Sequence, residues 1–241
     1  MQRIKKVKWP KRNIGGDRAY AKLYYVTGTS ITMTTGQSSV TRNIAFNILG
    51  VDSSTPLYAS TITANFGSAP GLSQLASQFL KYRIRGIKLK YTYYPIDYGL
   101  QPLIAYFNAQ GNADNILPTE TGPTPAFPTP SVSVMPEQRW CVYRVIPNAA
   151  NGAKPVTLKA YYSVNKVYGP DQVVKNDTQF TGDLISSSPY FSPTDQPSKG
   201  PWIQEGMFTM SGQTVAANVT VTILKRATVY IEFFGKRITT Q

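Results

Sequence analysis

Phe79-Leu80-Lys81-Tyr82-Arg83-Ile84-Arg85-Gly86-Ile87-Lys88-Leu89-Lys90-Tyr91-Thr92-Tyr93-Tyr94-Pro95 decides the fold. From Ile87 to Tyr93 the residues alternate without a break. Ile87, Leu89, Tyr91 and Tyr93 point one way, and Lys88, Lys90 and Thr92 the other. Period two is the signature of a β-strand with one buried face, and branched and aromatic residues suit a pleated surface. Ile84 is out of phase with Ile87, and Gly86 stands at the slip. A β-bulge there would bring both isoleucines into the core. The other face then presents a row of ammonium groups, either solvated or turned toward something anionic.

Outward from this strand, period-two signals recur. Tyr20 to Thr35 (one strand or a pair), Val40 to Leu49, Leu103 to Phe107, Arg139 to Ile146 (Trp140, Val142 and Arg144 on one face), Val156 to Val164 and Trp202 to Met210 all read as strands. The last is the longest: Val219, Val221, Ile223, Ala227, Val229, Ile231 and Phe233 share one face, which only Lys225 breaks. Its length calls for a central place in a sheet or for a strand that spans a barrel edge. Leu72 to Leu80 reads as a short helix with Leu72, Leu75, Ala76 and Phe79 on one face. Two long segments carry the prolines. From Pro118 to Pro136 inclusive there are six, which exclude helix and ladder; Tyr168 to Pro201 is the second. About eight strands with almost no helix predict an all-β jelly-roll sandwich of two four-stranded antiparallel sheets.

The chain has 241 residues and a formal charge of +13. Such a charge favours polyanionic partners. Residues 1–18 carry Arg3, Lys5, Lys6, Lys8, Lys11, Arg12 and Arg18 against Asp17 alone, a net +6. Pro10, Gly15 and Gly16 break any helix there, so 1–18 reads as an extended basic arm and 19–241 as the jelly-roll domain. Trp9 offers a ring for stacking on a base or for anchoring the arm to the domain. Lys5, Lys6, Lys8, Lys11 and Arg12 also fit a nuclear-localisation pattern. The nucleic-acid-binding candidates are therefore the seven basic arm residues, Trp9, Lys88 and Lys90.

Histidine is absent, which removes a Ser-His-Asp triad, a Cys-His pair and a His-ligated zinc. Cys141 is the only cysteine, so no intramolecular disulfide forms, and beside Trp140 it reads as a core filler. No apolar run is long enough to span a membrane, and the basic N-terminus lacks the apolar segment of a signal peptide. No phosphate-cradling glycine loop or acidic calcium loop occurs; no catalytic residue, metal or cofactor is expected. Asn176-Asp177-Thr178 and Asn218-Val219-Thr220 read as chance matches to the glycosylation pattern. Asp183 and Asp195 read as turn caps, with a cation at an assembled interface as the other use. Trp202 reads as core or interface.

The order of a basic arm, a serine-rich connection, Phe79-x-x-Tyr82-Arg83-Ile84-Arg85-x-Ile87-Lys88-Leu89, a Trp strand, Lys159-Ala160-Tyr161-Tyr162 and Ala227-Thr228-Val229-Tyr230-Ile231-Glu232-Phe233 resembles the capsid proteins of circoviruses and related circular, Rep-encoding single-stranded DNA viruses. Tyr82 to Arg85 is its most specific piece; the rest matches by order and spacing. The resemblance implies eight strands, B to I, with the lysine strand as D and the last strand as I between D and the first. It also implies self-assembly into a T=1 shell of about sixty copies, a virion location, assembly in the host nucleus and an arm inside on single-stranded DNA. Loop tips at 108–114, 119–131 and 171–199 would then lie outside. The arm departs from the family by being short and lysine-rich. At +6 in each of about sixty copies it would match on the order of four hundred phosphates, short of a whole circular genome. Either part of the arm lies outside this sequence, or interior lysines such as Lys88 and Lys90 and free cations make up the rest. The alternatives are a non-assembling β-sandwich that coats nucleic acid, and an enzyme on a double-sheet scaffold, which the missing histidines disfavour.

Overall fold

The structure, a computed structural model, describes residues 17–45, 49, 62–66, 69–96, 101–112, 127–149, 153–168, 178–184, 197 and 200–236. The described residues form nine strands: β1 (Arg18–Met33), β2 (Ser39–Ala45), β3 (Phe79–Tyr93), β4 (Leu103–Asn112), β5 (Val142–Ile146), β6 (Val156–Ser163), β7 (Gly182–Asp183), β8 (Gly200–Thr209) and β9 (Val219–Lys236). Among the described residues three short α-helices lie between them: α1 (Ile62–Phe66), α2 (Leu72–Gln78) and α3 (Val164–Tyr168). One sheet runs β1-β9-β3-β6, with β7 beside β3; the other runs β2-β8-β4-β5. With the eight long strands lettered in chain order from B, these are the B-I-D-G and C-H-E-F sheets of a jelly roll. Of the two places its length allowed, the longest strand, β9, takes the interior of a sheet, flanked by β1 and β3.

The alternation in β3 places Ile87, Leu89, Tyr91 and Tyr93 in the core. The register of β3 on β9 slips between Ile84 and Gly86, and both Ile84 and Ile87 are buried, as the bulge requires. From β9 come Val229, Ile231 and Phe233; across the sandwich stand Ile44, Leu103, Phe107, Ile203 and Met207. Tyr91 and Phe107 join the sheets edge to face, centroids 4.7 Å apart. In α2, Leu72 and Ala76 are buried and Leu75 packs partly against the core.

Lys225 occupies a core position on β9 at 1% exposure, and Glu205 meets it from β8, also at 1%. The Lys225 ammonium donates to Glu205 Oε1, and the Tyr91 hydroxyl donates to Oε2. The ammonium also lies 5.0 Å from the Tyr91 ring centre. Burial, and then the neighbouring carboxylate, hold the Tyr91 hydroxyl well above its ordinary range. One buried charge pair thus bridges the two sheets.

Some expectations change. The second long segment adds β7 to β3, with Lys81 and Asp183 paired at 3.4 Å, so the first sheet has five strands rather than four. The strand expected from Arg139 begins at Val142, and Val142 and Arg144 are exposed, Ile146 being the one buried residue of β5. Trp140 precedes it, its carbonyl accepting from Tyr162 Oη. The loop tip expected from Asn108 is strand through Asn112, with Asn108 buried. The proline segment ends in a 3-10 turn, Met135–Glu137. Residues 113–126, 169–177 and 185–196, including Asp195 and Asn176, lie outside the described residues.

Candidate nucleic-acid interface

The polar face of the β1-β9-β3-β6 sheet gathers cations that are far apart in sequence. Pairing registers set them in rows across the strands. One row reads Val26, Arg226, Lys90, Lys159. The next reads Tyr24, Thr228, Lys88, Tyr161, and a third Lys22, Tyr230, Gly86, Ser163. Neighbouring strands are about 4.8 Å apart, so Arg226, Lys90 and Lys159 stand side by side. Among the described residues no ion pair is recorded for Lys88, Lys90, Lys159 or Arg226. Lys22 lies 5.6 Å from the ring centre of Tyr230.

Gly86 does more than permit the bulge. A Cβ there would come within 2.8 Å of the Tyr162 carbonyl oxygen and 2.9 Å of the Tyr161 hydroxyl. The missing side chain lets the Tyr161 ring lean across β3 toward Tyr230, edge to face with centroids 6.0 Å apart. Glycine is used here for close approach.

At the other end of the face the cations share an acidic partner. Glu232, 1% exposed, accepts from Arg18 at 3.3 Å, from the Tyr20 hydroxyl at 3.0 Å and from Arg85. The two arginines of Tyr82-Arg83-Ile84-Arg85 are thereby in structural use. Arg85 binds Glu232, and Arg83 donates to Thr181 Oγ1 at 2.9 Å and lies over the Phe234 ring. Tyr82 and Ile84 point into the core.

Of the residues named from sequence, Lys88 and Lys90 lie on this face as expected. Arg18 opens β1 opposite Phe234, also on this face, so the chain enters the domain there. Arg3, Lys5, Lys6, Lys8, Trp9, Lys11 and Arg12 lie outside the described residues. Sequence reasoning did not single out Lys22, Lys159 and Arg226. Each sits at a polar position of an alternating strand, which was the available signal, but their adjacency needs the strand register. Cys141 packs partly buried against Ile104, Tyr106, Met135 and Phe208, and burial pushes its thiol up to about 11. Trp202 is buried with Ala45 and Phe127. Asn218 accepts from the Thr35 backbone N–H at 2.9 Å. Among the described residues no group of three acids or cysteines is placed to hold a metal, and no helix is long and apolar enough to cross a membrane.

No protein-family model and no curated protein matches the chain. Solved structures similar to it include Cocksfoot mottle virus, at 10% identity and a TM-score of 0.48, covering 92% of this chain and 97% of that one. The decameric BFDV capsid protein has 11% identity and a TM-score of 0.42, covering 89% and 99%. Tobacco necrosis virus has 7% identity and a TM-score of 0.45, covering 92% and 85%.

Proposed function

We propose that the chain is a viral capsid subunit that assembles into a T=1 icosahedral shell around circular single-stranded DNA. The β1-β9-β3-β6 polar face and the basic arm line the interior. The observation that carries the reading is the row Arg226, Lys90, Lys159, three cations held abreast on a rigid sheet. Like charges directly opposite one another destabilise a sheet, and a bound polyanion relieves that cost. The arm, with six of its cations before residue 13, joins the domain through Arg18 on the same face. Arm and wall therefore address one partner. The jelly-roll strand order and the long proline-rich segments between strands support assembly over a solitary binding module, because long connections in compact domains are usually functional. The arm's Lys5, Lys6, Lys8, Lys11 and Arg12 serve nuclear entry before assembly.

Electron microscopy of the purified chain tests this. Uniform spherical particles are the expected result. A single-copy species at high protein concentration and low salt, with no particles, overturns it.

A further inference from the structure

We infer that the polar face of the β1-β9-β3-β6 sheet is a base-stacking platform that selects unpaired polynucleotide over duplex. The inference rests on the reading of this face as the nucleic-acid side of the subunit. It assigns the tyrosines, which charge alone leaves without a use.

Beside the half-buried Tyr230, three exposed tyrosines stand on this face. Tyr20 is 58% exposed, Tyr24 63% and Tyr161 48%. Large exposed rings on a sheet face are ordinary when scattered; here they are interleaved with cations in a fixed register. Tyr24 and Tyr161 end the row that contains Lys88, three strand spacings or about 14 Å apart. The row Arg226, Lys90, Lys159 runs beside it, two residues along each strand and about 7 Å away. Tyr20 is held by its hydrogen bond to Glu232, and Tyr161 leans over the gap at Gly86. These rings are therefore positioned before any ligand arrives.

Alternating rings and cations bind single strands in a recognisable way. Lysine and arginine take the phosphates, and bases stack on aromatic faces without regard to sequence. In a duplex the base faces are already stacked on one another, so only the charge contribution remains. The arm, mostly lysine, binds phosphates of either form. The face is thus the part of the subunit that distinguishes strand state. The platform accepts unpaired DNA and RNA alike, since stacking does not require a particular sugar.

The test uses the full chain with three probes of equal length: oligo-dT, oligo-rU and a mixed-sequence DNA duplex. Binding is measured across a salt series for Tyr24→Leu with Tyr161→Leu, for Tyr24→Phe with Tyr161→Phe, and for Lys90→Ala with Arg226→Ala. The leucine pair should lose at least tenfold in affinity for both single strands, with duplex affinity and salt slope unchanged. The phenylalanine pair, which keeps the rings, should bind as the parent does. The alanine pair should weaken all three probes and flatten the slope. A 5-iodouracil-substituted strand should photo-cross-link to the peptides holding Tyr24 or Tyr161. Equal losses on single strand and duplex, or none for the leucine pair, overturn the platform. So does loss of particle assembly in the leucine pair with oligonucleotide binding intact, which would make this face a contact between copies. Microscopy of the parent chain decides the capsid reading separately: a chain that forms no shells yet discriminates strand state keeps the platform and loses the capsid.

Discussion

Lys225 is the residue at which the sequence pattern and the fold part company. Seven other odd positions of β9 are apolar, and an ammonium among them would carry a large desolvation cost if left alone. Its partner Glu205 lies twenty residues earlier on β8, in the other sheet. Glu205 is itself satisfied twice, by Lys225 and by Tyr91. Nothing in a single strand's alternation announces such a pair, because it is made across the sandwich. Removing one member should therefore cost more than removing the charge from both. Lys225→Met leaves the Glu205 carboxylate buried with the Tyr91 hydroxyl, at a cost of about 3–5 kcal/mol. Combined with Glu205→Gln, which still accepts from Tyr91, the cost should fall by at least about 1 kcal/mol. Denaturant unfolding of the two singles and the double checks this. A double variant less stable than Lys225→Met alone would mean that the site requires the charges themselves.

At the scale of elements, β3 shows why much of this fold was legible. It is flanked by β9 and β6, buries one face, and alternates accordingly; β9, β6 and β1 do the same on their core sides. Where an element escapes burial the signal fades. Only Ile146 of β5 is buried, so its start was placed three residues too early, at Arg139, while its end was read correctly. β7 has two residues and gains its strand character from β3, not from its own pattern. Gly86 is the element-level device most open to test. Its neighbours are a backbone carbonyl and a tyrosine hydroxyl, and the carbonyl cannot step aside without moving β6. Gly86→Ala should destabilise the domain by about 1–3 kcal/mol, lowering Tm by roughly 2–10 °C. Thermal unfolding measures this. A Tm at or above the parent's would mean that the bulge tolerates a side chain and that Gly86 serves only local flexibility.

For the whole molecule, the question is how charge is divided between arm and wall. Alternation placed Lys88 and Lys90 on a polar face, as β3 shows, and the net charge of +13 predicts a polyanionic partner. The wall as a surface was not legible, because Lys22, Lys159 and Arg226 reach it from three other strands through registers that only the fold supplies. Counting the wall changes the expected balance. Deleting residues 1–12 removes Arg3, Lys5, Lys6, Lys8, Lys11 and Arg12, six cations. At about 0.7 per phosphate neutralised on a single strand, the slope of log K against log salt should flatten by about four. Alanine at Lys88, Lys90, Lys159 and Arg226 removes four cations and should flatten it by about three. None of these four side chains has a recorded ion pair among the described residues, and none is buried. The wall variant should therefore fold as the parent does, with like-charge repulsion on β3, β6 and β9 relieved. The two deletions together should leave only a shallow slope. A wall variant with the parent's slope would place oligonucleotide binding entirely in the arm, and the cation row would then have to be explained by contact with an acidic surface of another copy.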